Sequence, residues 1–226
     1  MPKRPRSGKG ASKGSKAKRR AIARYGADAV AKYYSPVRHM VRAPGETGYV
    51  DLASASYALD TTGTVTLLAT IPQGTSVSQR VGKKIMIKSI QCRGNLQNNS
   101  TATINDVAMM LVYDIRPTGS LPVVTDILVS ASSRAFNNDV NSARFKILKR
   151  IDMSLTGNSG AATESTAVSC DFYLKVNKLM QFAAAGTGAI GDITVGALYL
   201  VTVGTNAAGT TAATAVVGFR TRFNDI

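Results

Sequence analysis

The chain has 226 residues, of which 44% are hydrophobic, enough for one large β domain or two small ones. Only 18% of the residues are charged and 6% are aromatic, while small and β-branched residues dominate, which favours strands and loops over long surface helices. No stretch of about 18 uninterrupted apolar residues occurs, so neither a spanning helix nor a membrane partner is expected. The basic start is not followed by an apolar segment of the signal-peptide kind.

The formal net charge of +15 is concentrated at the N-terminal end. Residues 1–42 contain 13 Lys and Arg residues and one acid, Asp28, for a net charge of +12. Residues 43–226 contain 15 basic and 12 acidic residues, for a net charge of +3. A block of like charge beside a nearly neutral globular part is typical of a tail that binds a polyanion.

Residues 1–20 contain nine Lys and Arg residues and no acid, and they are predicted to be disordered when unbound. Residues 19–34 have weak helical spacing, which fits either a short basic helix formed on nucleic acid or a frayed linker. Lysine and arginine bind phosphates by releasing counterions, in a salt-sensitive and sequence-independent way. The predicted nucleic-acid-binding residues of this arm are Lys3, Arg4, Arg6, Lys9, Lys13, Lys16, Lys18, Arg19, Arg20 and Arg24.

The same basic residues also form two clusters about ten residues apart, resembling a bipartite nuclear localisation signal. The first contains Lys3, Arg4 and Arg6, and the second contains Lys16, Lys18, Arg19 and Arg20. This pattern predicts binding to host nuclear import receptors and a nuclear location during assembly.

From Tyr49 onward the pattern is one of strands and turns, which predicts a basic arm and linker over 1–48 and a β domain over 49–226. In 144–155 the apolar residues alternate with polar ones, the period of a half-buried strand. Eight to nine strands and no long helix after residue 34 indicate an all-β sandwich. The predicted strands are 49–59, 64–71, 84–97, 107–115, 144–155, 168–177, 179–184, 193–204 and 214–224.

Residues 116–143 lack alternation and are predicted to be a long loop or a loop with a short helix. A loop of this length in a compact domain is usually functional, for instance as a subunit contact. Arg80, Lys83 and Lys84 form a second, smaller basic cluster before a strand. They could face nucleic acid, and solvated loop charge is an equal alternative.

The sequence gives little support for a catalytic or metal-binding site. Gly186–Gly191 matches G-x-G-x-x-G but lies between strand-like runs rather than before a helix, so it is interpreted as a surface turn. His39 is the only histidine and lies in a proline-flanked linker, so neither a catalytic base nor a zinc site is expected, and the protein is predicted not to be an enzyme. No cofactor is expected.

Two further residue pairs have simple interpretations. Cys92 and Cys170 fall on apolar strand faces and are predicted to be buried free thiols in a reducing compartment. Asp114 and Asp152 lie at strand positions, where calcium binding between subunits competes with the more frequent salt-bridged or solvated state.

Five segments occur in a consistent order along the chain: Ile71–Ile90, Leu111–Gly119, Arg144–Arg150, Phe172–Asn177 and Ala215–Phe223. Together they resemble the capsid proteins of circular single-stranded DNA viruses, especially the geminivirus-like group. The later four segments look like that group's strand ending in an Arg-Pro-x-Gly turn, its Arg-Phe-x-x-Leu-x-Arg strand, its Lys-Val-Asn segment and its closing strand.

The resemblance implies an eight-stranded jelly roll that assembles into an icosahedral shell of about sixty subunits, with the arm facing a packaged single-stranded genome. The arm and linker contain no cysteine and one histidine, His39, whereas geminivirus coat proteins carry Cys and His residues proposed to bind zinc. This difference favours a small shell without zinc over a twinned particle. DNA is the favoured genome. A coat protein of a small satellite RNA virus and a cellular, non-specific nucleic-acid-binding β protein are the alternatives.

Overall fold

The computed structural model describes residues 47–99, 104–157, 167–183, 186–209 and 211–226. Ten strands and one four-residue helix, α1 (Val124–Ile127), account for most of this part, with two short 3-10 helices at Asp139–Asn141 and Ile190–Asp192. The strands are β1 (Thr47–Leu59), β2 (Thr64–Leu67), β3 (Lys84–Gln97), β4 (Ile104–Asp114), β5 (Phe145–Thr156), β6 (Ala167–Ser169), β7 (Phe172–Phe182), β8 (Ile193–Val195), β9 (Ala197–Gly204) and β10 (Ala213–Asp225).

The strands form two antiparallel sheets with the connectivity of a jelly roll. The first sheet has the order β1-β10-β3-β7-β8, with β6 also paired to β3, and the second has the order β2-β9-β4-β5. The eight longer strands give four to each sheet, as in a jelly-roll sandwich. The predicted all-β jelly roll is therefore confirmed, but the predicted count of eight strands is wrong because β6 and β8 are additional.

The extra strand β8 exists because the chain changes sheets at Gly196. Residues 193–204 look like one strand in the sequence, but β8 pairs with β7 whereas β9 pairs with β4 in the other sheet. Gly196 between them has φ +74°, and a Cβ there would lie 2.1 Å from the carbonyl oxygen of Leu179. Only glycine fits this crossing.

The opposite error occurs on β7, where 168–177 and 179–184 were predicted as separate strands. A bulge joins them: Ser89 of β3 pairs with Lys175, and Ile87 pairs with Lys178, so two residues of β7 oppose one of β3. Asn177 in this bulge has φ +47°, a conformation that asparagine tolerates better than most residues. The strand therefore continues to Phe182.

The long loop 116–143 covers the outer side of the second sheet. Every residue of β9 is buried, and so is every residue of β4 from Val107 onward, although a sandwich by itself buries only one side of each sheet. The loop supplies the second cover, because Val124, Ile127 and Leu128 are buried members of the core. The prediction of a loop with a short helix is confirmed.

A buried ion pair closes this loop at its base. Asp114 ends β4 and is fully buried, while Arg144, which immediately precedes β5, keeps 27% of its side chain exposed. Arg144 Nη2 lies 2.8 Å from Asp114 Oδ2, and its Nε lies 3.0 Å from Oδ1. The hydrogen bond to the Asp114 carboxylate raises the pKa of Arg144. The two ends of the loop are thereby joined side by side.

Candidate nucleic-acid-binding and assembly surfaces

The predicted residues of the basic arm lie outside the residues that the structure describes. This holds for all ten, namely Lys3, Arg4, Arg6, Lys9, Lys13, Lys16, Lys18, Arg19, Arg20 and Arg24. Their assignment to nucleic-acid binding, and that of seven of them to nuclear localisation, stay predictions. The same is true of the arm segment 1–48, of which only Thr47 and Gly48 are described.

The second basic cluster is divided between surface and interior. Lys83 and Lys84 are exposed at the start of β3, where phosphates can reach them. Arg80 is fully buried, with its guanidinium 4.0 Å from the ring centre of Phe182 and its Nη1 donating to the carbonyl of Gly82 at 2.7 Å. Burial lowers the pKa of Arg80. Arg80 therefore braces the loop before β3 rather than presenting its charge to a ligand.

The glycine-rich segment Gly186–Gly191 is occupied by the protein's own carboxylate. It lies between β7 and β8, and the backbone N–H of Gly188 donates to Asp192 Oδ2 at 3.0 Å. Gly188 has φ +79°, and a Cβ there would lie 2.5 Å from the backbone nitrogen of Ile71. The glycine therefore allows two loops to pack closely, as expected of a structural turn.

The strand carboxylates considered for calcium are held by arginines. Asp114 is paired with Arg144 as described, and Asp152 Oδ1 lies 2.8 Å from Arg150 Nε. Among the described residues, no group of three or more His, Cys, Asp or Glu side chains is arranged to hold a metal ion. The salt-bridged alternative is therefore the one that the structure contains for both residues.

The two cysteines are neighbours on the inner side of the first sheet. Both thiols are free and buried, as predicted. A hydrogen bond with Cys170, together with burial, raises the pKa of Cys92. A thiol in such a place stays protonated and packs as a small apolar group.

Exposed apolar side chains concentrate on the loop that covers the second sheet. Eleven large hydrophobic side chains are exposed in the described part of the chain, and five of them lie within 116–143. Phe136 is 85% exposed and Val140 is 90% exposed. The loop is nevertheless anchored, since Arg150 donates to the carbonyls of Ser133 and Ala135 at 2.8 Å. Apolar groups held outward by a fixed backbone are typical of a protein contact surface.

Comparison with known proteins identifies the family. A profile of the geminivirus coat protein/nuclear export factor BR1 family matches residues 3–226. The chain belongs to this family. Membership confirms the resemblance that the five ordered segments indicated. It also agrees with a structural rather than an enzymatic role, because the family is one of coat proteins.

One relative with a curated description is the capsid protein of Miscanthus streak virus (isolate 91). It is 32% identical over 160 residues, in an alignment that covers 62% of this chain and 63% of that protein. The chain thus spans less than two thirds of this relative's length.

Two solved structures match with low TM-scores and low sequence identity. Desmodium yellow mottle tymovirus matches with a TM-score of 0.34 and 10% identity, covering 80% of this chain and 79% of that one. Infectious bursal disease virus, Gx strain, matches with a TM-score of 0.31 and 10% identity, covering 78% and 33%. The jelly-roll assignment rests on the order of the strands in the two sheets. Within the described residues no helix is long and apolar enough to cross a membrane.

Proposed function

We propose that the chain is a coat subunit that assembles into a small icosahedral shell and packages a single-stranded genome through its basic arm. The observation that carries this proposal is the division of charge, +12 over residues 1–42 against +3 over the rest, in a member of a coat-protein family. The virion is then the place of the mature protein, with nuclear passage during assembly supported by the two basic clusters of the arm.

The size of the arm charge fits this role. A shell of about sixty subunits, each with about twelve arm charges, would neutralise roughly 700 phosphates. That is the scale of a genome of one to a few thousand nucleotides when small cations balance the remainder. The exposed pair Lys83 and Lys84 would add to the arm's charge if the start of β3 faces the shell interior.

Subunit contacts are proposed for the loop 116–143. Its side chains Leu121, Val123, Val129, Phe136 and Val140 are 45–90% exposed in the single chain. Full burial of a side chain of this size contributes about 1.5–3 kcal/mol. A second copy of the chain is the partner that a coat protein meets most often, so we assign this surface to contacts between copies.

A carrier of nucleic acid that forms no shell is the second candidate function. The family name itself includes a nuclear export factor, and the basic arm would serve such a protein equally well. A carrier is expected to give discrete soluble complexes with nucleic acid, whereas a coat protein gives closed particles.

Electron microscopy of the purified chain with single-stranded nucleic acid distinguishes the two functions. Closed particles of uniform size support the coat protein, and monomers or dimers at every salt and protein concentration refute it. The arm is tested by replacing its nine Lys and Arg residues within 1–20 by glutamine, with Lys83→Gln/Lys84→Gln as the comparison. Nuclease-protected nucleic acid is expected to be lost in the arm variant, and full protection there would refute the arm's role.

A further inference from the structure

The outward side of the first sheet carries a group of polar, basic and aromatic residues that the proposed function does not use. Ile90 and Cys92 of β3 lie in the core, so the alternating residues Gln91 and Arg93 point outward. Strand pairing places Arg222 of β10 on one side of Ser89 and Lys175 of β7 on the other. We call the set Gln91, Arg93, Tyr173, Lys175 and Arg222 the Tyr173 patch.

Tyr173 is the aromatic element of the patch. It pairs with Gln91 across the strands and is 56% exposed, while its neighbours Phe172 and Leu174 pack against the core. Its ring therefore stands on the outward side of the sheet. Exposed aromatic rings on a sheet are stacking platforms for unpaired bases, and each stacked base contributes substantially to binding.

The basic residues of the patch outnumber the carboxylates near them. Among the described residues, Arg93, Lys175 and Arg222 form no salt bridge, whereas nearby Arg220 is held by Asp51 at 2.6 and 2.7 Å. Asp51 also attracts Arg222, and the second nearby carboxylate is Asp171, which accepts from the N–H of Gly94 beside Arg93. Arg222 and Lys175 flank the buried Ser89 on the two strands next to β3, so their backbones are about 10 Å apart. Cations at this spacing can contact successive phosphates of a nucleic-acid strand that crosses the β-strands.

A groove next to the patch can accept a base. It has a volume of about 360 Å³, and its lining includes Asp51, Ser54, Gln91, Arg93 and Arg220. Gly218 of β10 lies opposite Arg93, and the bulged backbone of β1 packs against it, since a Cβ at Gly218 would lie 3.2 Å from the backbone nitrogen of Ser54. The Gln91 amide and the Ser54 hydroxyl provide the donors and acceptors that base edges require.

We propose that the Tyr173 patch binds single-stranded nucleic acid, with a base stacked on Tyr173 and phosphates on Arg93, Lys175 and Arg222. This inference rests on the proposed packaging of a single-stranded genome and adds a second binding surface, on the folded domain, to the arm. Unlike the arm, this surface distinguishes single strands from duplexes, since paired bases cannot stack on it.

The test uses full-length protein and fluorescence anisotropy with oligo-dT of about 20 nucleotides, a duplex with the same number of phosphates, and oligo-rU. Tyr173→Ala is expected to weaken oligo-dT binding about fivefold to a hundredfold and to change duplex binding less than about twofold. Tyr173→Phe is expected to retain wild-type binding. Ile104→Ala, which removes an exposed apolar side chain from β4 of the second sheet, is the control and is expected to have no effect.

The charges are tested by salt dependence. Lys175→Gln and Arg222→Gln are each expected to reduce the slope of log affinity against log salt for oligo-dT by about 0.7. Lys146→Gln, an exposed lysine on β5 of the other sheet, is expected to leave the slope unchanged. Photo-crosslinking of wild-type protein to oligo-dT followed by peptide mass spectrometry should recover a peptide that contains Tyr173.

Three results would overturn the proposal. The first is unchanged oligo-dT affinity in Tyr173→Ala, and the second is an equal loss for single strands and duplex. The third is a loss of particles in Tyr173→Ala with unchanged oligo-dT affinity, which would make the patch a subunit contact. The comparison of oligo-dT with oligo-rU assigns the patch to DNA or to RNA, according to which of the two loses more affinity in Tyr173→Ala. Particle formation by wild-type protein is scored separately, so failure of the coat function and failure of the patch remain distinguishable.

Discussion

Replacing Arg144 with methionine is expected to lower the free energy of unfolding by about 3–5 kcal/mol. Asp114 is fully buried, and its carboxylate accepts hydrogen bonds from Arg144 Nε and Nη2. Without Arg144, the donors that remain to the carboxylate among the described residues are the backbone N–H of Arg116 at 3.0 Å and the Tyr199 hydroxyl at 3.5 Å. The cost is large because a charge would remain in the interior with its main compensation removed.

A second substitution at the same site is expected to restore part of this loss. In Asp114→Asn/Arg144→Met the interior charge is gone, and the side-chain amide oxygen can still accept from the N–H of Arg116. The double variant should therefore be more stable than Arg144→Met alone by about 1.5 kcal/mol or more. A double variant that is more stable than the single one would show that the unpaired buried charge, and not the lost contact, causes the loss of stability.

The measurement is urea unfolding of unassembled protein at pH 7, followed by circular dichroism and tyrosine fluorescence. Arg134→Met is the control, because Arg134 also pairs with an aspartate, Asp106, but keeps 74% of its side chain exposed. That variant should lose less than about 1 kcal/mol. A loss below about 1 kcal/mol in Arg144→Met, or a double variant less stable than the single one, would refute the reasoning.

Three further outcomes are expected. Phe136→Ser should raise the protein concentration required for particle formation without lowering the melting temperature, because Phe136 is exposed. Unchanged assembly in light scattering would count against the contact proposed for the loop. Gly188→Ala should lower the melting temperature more than Gly119→Ala. Both glycines have positive φ, but only at Gly188 would the new Cβ lie within 3 Å of backbone atoms. Equal shifts in melting temperature would contradict this expectation. Acid should destabilise the fold below about pH 4. Hydrogen bonds from Ser154 and Arg134 lower the pKa of Asp106. The stability that the ionised Asp106 contributes is therefore present above the unfolded-state pKa and is lost as the pH falls. A urea unfolding midpoint as high at pH 3 as at pH 5 would exclude this contribution.

Local sequence pattern was sufficient for much of the sheet structure. The alternation in 144–155 predicts a half-buried strand, and β5 occupies 145–156. The doubly apolar run 107–115 predicts a central strand, and β4 lies between β9 and β5. These predictions succeed because the side-chain period of a strand reports burial directly, residue by residue.

The same local reasoning fails where the partner of a segment determines its structure. Residues 193–204 have one continuous apolar pattern on both sides of Gly196, and nothing in that pattern tells that β8 and β9 join different sheets. The cover over β4 and β9 is likewise invisible, because Val124, Ile127 and Leu128 fall in a segment without periodicity. Both features depend on contacts between residues far apart in the chain.

The candidate sites follow the same division. The basic arm is evident from counting charges, since like charge in one segment acts on a polyanion whatever the fold. Arg80 shows that counting charges does not predict which of them are accessible. In the sequence it is one of three clustered cations, yet it is buried against Phe182, about a hundred residues away in the chain. The Tyr173 patch also escapes the sequence, because its five residues come from three separated strands.

The amino-acid sequence by itself thus determined the strand-rich composition, the uneven charge and, through five ordered segments, the family. These properties are carried by neighbouring residues and survive in any conformation of the chain. Tertiary structure alone decided which cations are free, which apolar side chains of 116–143 stay exposed and which strand brings Tyr173 beside Gln91 and Lys175. Strand register and sheet packing set these neighbours, because both bring together residues that the sequence keeps far apart.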